Sequence, residues 1–208
     1  MDALTQQLME QLSGDKLSHI SQRIGADERT TRSALSTVMP LLVSALANNA
    51  SQPDGAQSLH QALAEDHDGS ILGDLSGFLG NPEAANGAGI LGHVLGSQQP
   101  TVTQGLAQGT GLEGSQVGQL MQIVAPLVMG ALGQQQQQQG LDTGGLSAFL
   151  GSQQQLDHQS NPDLMNVLDS LLDKDRDGSS LDDIVGMVGK LLGTKRRARR
   201  TRRRRSST

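Results

Sequence analysis

The chain has 208 residues, with 26 glycines, two phenylalanines and no tyrosine, tryptophan or cysteine. Those absences exclude a disulfide framework and thiolate chemistry, and they leave Leu, Ile, Val, Met and Ala to build the core. The formal charge of −5 averages two unlike parts: residues 195–205, KRRARRTRRRR, carry nine cations and no acid, so the remainder holds 7 cations against 21 acids, or −14.

Frequent glycine among strong helix formers, with few β-branched runs, predicts many short helices. The opening MDALTQQLMEQLSGD has neither the basic nor the apolar region of a secretory signal. ALTQQLMEQL reads as a helix ended by Gly14. Asp15 is expected to cap a second helix, on which Leu17, Ile20 and Ile24 share one face. A third helix is predicted from about Asp27 to Asn49, apolar nearly all round in its second half and therefore central. Pro40 removes the donor for the Ser36 carbonyl, and a kink is expected there. Asn81-Pro82-Glu83 and Asn161-Pro162-Asp163 have the cap, proline and acid of helix starts. GILGHVLG (89–96) and GGLSAFLG (144–151) read as helices of one to two turns. The Gln134–Gln139 run either prolongs the preceding helix or links it onward. The longest apolar runs, 38–47 and 123–132, are about half of a membrane span. A soluble cytoplasmic chain without a span is expected.

Two internal matches organise the chain. Residues 25–46 align with 111–132 at a shift of 86, pairing Gly25 with Gly111, Asp27 with Glu113 and Pro40 with Pro126. DHDGSILGDLSGFLG (66–80) aligns with DRDGSSLDDIVGMVG (175–189) without a gap, with eight identities. The expected fold is all-α, an internally duplicated bundle of short glycine-punctuated helices around two Pro-kinked central ones. The expected division is a first repeat at 1–97, a second at 98–193 packed with it as one domain, and a disordered Arg-rich tail at 194–208.

The ordered combination of VMPLLVSALANN, DHDGSILGDLSGFLG, GILGHVLG, GLEGSQVGQLMQIVAPLVMGALG and DKDRDGSSLDDIVGMVGKLLG resembles the bacterial family called domain of unknown function 937, over roughly residues 1–193. The resemblance implies a cytosolic helical protein and no assigned activity or catalytic residue.

Residues 173–184, DKDRDGSSLDDI, pose the sharpest chemical question. An EF-hand-like calcium loop needs oxygen ligands at alternate positions and a glycine at the sharp turn. Asp173, Asp175 and Asp177 occupy the first three ligand positions, Gly178 the turn, and the Ser179 carbonyl the next. Position 12 is Ile184 rather than glutamate, leaving Asp182 or Asp183 to serve a shortened loop. The competing reading is a helix start: Ser179 with Asp182, and Ser180 with Asp183, both match a capping box. The first copy has Ala64 in the leading position and lacks that ligand; His67 inside its loop would allow a mixed site, but a solvated loop histidine is expected.

GAGILG (87–92) and GTGLEG (109–114) match GxGxxG, but no strand precedes either, so no nucleotide site is expected. No HExxH, nucleophile elbow or phosphate loop is present, and no enzyme is expected. Lys195, Arg196, Arg197, Arg199, Arg200, Arg202, Arg203, Arg204 and Arg205 suit sequence-blind attraction to phosphates. The leading expectation is a non-enzymatic interaction or scaffold protein, whose partner is another protein or a second copy of itself. A calcium-binding helical module and a polyanion (nucleic acid) binder acting through the tail are the alternatives.

Overall fold

A computed structural model describes residues 3–160 and 162, all within one compact unit. Among them every regular element is a helix. The acidic loop at 173–184, the flanks of Pro162 and the basic tail lie outside the described residues.

The elements run α1 (Ala3–Gln11), α2 (Asp15–Ile24), α3 (Glu28–Ala50), α4 (Pro53–Glu65), α5 (Ser70–Gly73) and α6 (Leu75–Gly80). A 3₁₀ turn (Pro82–Ala85) leads into α7 (Gly87–Leu95), then α8 (Gln99–Thr110), α9 (Gly114–Gln139) and α10 (Thr143–Ser160). The two long helices, α3 and α9, pack on each other at the centre. Leu35, Val38, Met39, Leu41 and Val43 of α3 are fully buried, as are Leu120, Met121, Val124, Leu127 and Val128 of α9. Around this pair, α4, α8 and α10 lie on α3, while α4, α5, α7 and α8 lie on α9. By length and composition α9 would pass as a membrane span, yet 78% of that window is buried inside the fold.

The residues matched by the 86-residue shift have matching backbone geometry. Gly25 and Gly111 end α2 and α8 in the left-handed region, with φ of 69° and 75°. Asp27 and Glu113 then open α3 and α9 in extended conformation. Glycine reaches that left-handed turn at little steric cost, which is why the break falls at the same place twice.

Neither Pro40 nor Pro126 ends its helix, and both are buried. Pro126 has no N–H, so the Gln122 carbonyl loses its intrahelical partner. The start of α7 settles against that carbonyl: a Cβ on Gly87 would overlap the Gln122 oxygen. Two further glycines of α9 admit close approach, one of backbone and one of a side chain. A Cβ on Gly133 would overlap the His67 carbonyl oxygen, and one on Gly130 would come 2.5 Å from Ile71 Cγ2. The loop at 66–69 and α5 therefore rest directly on α9.

Several local expectations shift. Gly14, with φ 64°, is the residue before α2, so Asp15 sits inside the first turn and makes no side-chain cap. It still favours the positive end of the helix dipole. Pro82 starts a 3₁₀ turn without a cap from Asn81. GGLSAFLG is not a one-to-two-turn helix; it is the front of the 18-residue α10. Gly151 faces open space there, and the helix-forming glutamines beyond it carry the helix on. The Gln134–Gln139 run prolongs α9, which ends at the left-handed Gly140.

Candidate functional site

The first acidic loop acts as a set of caps. Asp68 Oδ1 accepts from Ser70 N at 2.9 Å, and Asp74 Oδ1 accepts from Gly77 N at 2.8 Å. The bonds from Ser70, backbone first and hydroxyl second, hold the Asp68 carboxyl below the usual aspartate range. At α3 the Thr30 hydroxyl donates to Asp27 Oδ2 at 2.6 Å, and Thr30 N donates to Oδ1 at 2.9 Å. Both bonds lower the Asp27 pKa. No three His, Asp or Glu side chains gather as a metal site requires, among the described residues. His67 is half-buried rather than a solvated loop residue. Burial pushes its pKa below the ordinary histidine value, against the opposing pull of the Asp66 charge.

Carboxamides do much of the joining between segments. Gln116 Nε2 donates to Gly25 O at 2.9 Å while its Oε1 accepts from Glu113 N at 2.9 Å. Asn49 Nδ2 donates to Val94 O at 2.9 Å, and Gln136 Nε2 to His60 O at 3.3 Å. His60 Nε2 in turn lies 3.2 Å from Leu141 O. In each of the three carboxamide contacts an α3 or α9 amide reads a main-chain carbonyl on a neighbouring segment.

Beside Gln116, a cleft of about 620 Å³ opens between α2, the 3₁₀ turn, the start of α7 and α9. Gln119 and Gln122 form its α9 wall, and both are exposed. Pro82 and Ile123 supply buried apolar surface at its floor. Arg23 Nη2 and Glu83 Oε1 stand across the rim at 3.4 Å, with side chains 38% and 85% exposed. So open a pair is loosely held. Sequence reasoning does not single out this cleft. Its one legible trace is Gln116, Gln119 and Gln122 at three-residue spacing, which places them on one side of α9. The GxGxxG at 87–92 lies at the cleft's edge, but its first glycine faces the α9 backbone. The other, at 109–114, spans the α8 terminus.

A helical fold in which Asp27, Asp68 and Asp74 cap backbone N–H groups, and whose open cleft is lined by amides and one ion pair, defines a helical domain without a recognised reaction centre among the described residues. The family model for "Bacterial protein of unknown function (DUF937)" matches residues 6–135. The chain belongs to that family. No curated protein and no solved structure matches it.

Proposed function

We propose that this is a non-enzymatic interaction protein and that the Gln119–Gln122 cleft is where a partner is held. The observation that carries this reading is the chemistry of the lining. Carboxamides and a loose ion pair recognise donors and acceptors; the lining holds no imidazole, hydroxyl or thiol, and its one carboxylate, Glu83, is 85% exposed and paired with Arg23. A photo-crosslinking amino acid placed at Ala88, on the cleft, and separately at Asp54, at the start of α4, tests it in the full chain inside a bacterial host. A discrete adduct from Ala88 and none from Asp54 is expected. Equal adducts from both positions, or none from either, would overturn the assignment.

A second reading is favoured by charge. Residues 33–160 contain nine acids and no Lys or Arg, whereas the tail concentrates nine cations in eleven residues. Phosphate-rich polymers would be drawn chiefly to the tail.

A further inference from the structure

We infer that the cleft takes an extended segment of a partner polypeptide, with Gln119 and Gln122 donating to its main-chain carbonyls. The inference rests on the interaction reading above and gives the partner's chemistry. The fold already uses this contact three times: Gln116 on Gly25, Asn49 on Val94 and Gln136 on His60. Gln119 and Gln122 continue the row begun by Gln116, yet their side chains make no hydrogen bond among the described residues. They present the same donor group to the cleft, open to solvent.

The spacing suits an extended chain. Side chains three apart on a helix stand about 5–6 Å from each other at Cβ. Carbonyls on one edge of an extended strand recur every second residue, at about 6.6 Å. Two flexible carboxamides span that difference. A carboxamide also accepts, so each glutamine can take a strand N–H as well as give to a C=O. Pro82 and Ile123 offer apolar surface to small side chains, and the loose Arg23–Glu83 pair sits where a chain would enter. A helical partner offers no such edge, because its carbonyls are spent on its own N–H groups. A free carboxylate or phosphate would address Arg23 rather than the glutamines.

Peptide display against the immobilised full chain, followed by the double variant Gln119→Ala/Gln122→Ala, tests this. Both side chains reach solvent from helical positions where alanine is a better helix former, so the fold is retained. A matched melting curve checks that. Enriched peptides should bind the double variant at least 10-fold more weakly, and replacing one of their amides by an ester should weaken binding to the parent chain. Peptides that tolerate the double variant, or that lose binding only with Arg23→Gln, would overturn the main-chain reading. A screen that enriches nothing would overturn it too. A surviving Ala88 photo-adduct would then leave the cleft as an interaction site for a partner of different chemistry.

Discussion

Two glycines on α9 look alike in the sequence and differ in what surrounds them. A methyl added at Gly118 would meet nothing within 4 Å, whereas one added at Gly133 would overlap the His67 carbonyl oxygen. Gly118→Ala should therefore gain about 1 kcal/mol from helix propensity alone. Gly133→Ala should lose roughly 1–3 kcal/mol, because a backbone oxygen cannot step aside as a flexible side chain can. Urea midpoints of the two variants check this, and a stabilised Gly133→Ala would refute the close packing of the 66–69 loop on α9. His67, in that loop, gives the pH counterpart. Its folded pKa lies below the ordinary 6.5 because burial disfavours the cation. As pH falls through 6.5 the unfolded chain takes the proton first, so stability is full above that value and declines below it, down to the folded pKa. Urea midpoints at pH 7.5 and 5.5 should fall further for the parent chain than for His67→Gln. Equal falls would mean the imidazole is as hydrated folded as unfolded.

At the scale of elements, the long helices are legible in the sequence because their signal is redundant. The α3 and α9 segments each combine a left-handed glycine, an acid at the cap, a long apolar face and a buried proline, all 86 residues apart. The short elements are not. DHDGSILGDLSG breaks into α5 and α6 because Asp74 turns out of helical geometry, with φ −132° and ψ 64°, and caps the next turn. No periodicity in so short a window announces that. The sequence understates α10 because Gly151 looks like a stop, and only the packing surface behind it says otherwise. Leu146 and Leu150 are wholly buried where α10 meets the α3 side of the bundle, and Ser147 Oγ donates to Ala50 O at 2.9 Å. Those contacts hold the helix past its glycines. Leu150→Ala should cost about 2–5 kcal/mol through the cavity it leaves. If α10 were held by its own propensity, the loss would be under about 1 kcal/mol, and amide exchange across 143–160 would separate the cases. The cleft is illegible for a related reason. Three glutamines in a glutamine-rich chain carry no contrast until the fold shows that one is engaged and two are open.

At the scale of the whole molecule, the charge separation decides what a polyanion would meet. Within the described body the cations are confined to Lys16, Arg23, Arg29 and Arg32, and residues 33–160 offer only carboxylates as fixed charges, so phosphates should be attracted chiefly to residues 195–205. The body cannot then add base-specific contacts cheaply, and the tail has no aromatic side chain on which a base could stack. The expected behaviour is binding that depends on salt and ignores sequence. With nine cations the slope of log K against log salt should approach about −8 on duplex DNA if all of them engage phosphates, and affinity should drop on the order of 10³-fold or more between 50 and 200 mM salt. Replacing Arg202, Arg203 and Arg204 by serine should make the slope shallower by about 3, one unit for each lost phosphate contact. Duplexes rich in A·T and in G·C should bind alike. A slope near zero, or a marked preference between those duplexes, would mean that the contact is made by uncharged groups of the helical body and that the tail is incidental to it.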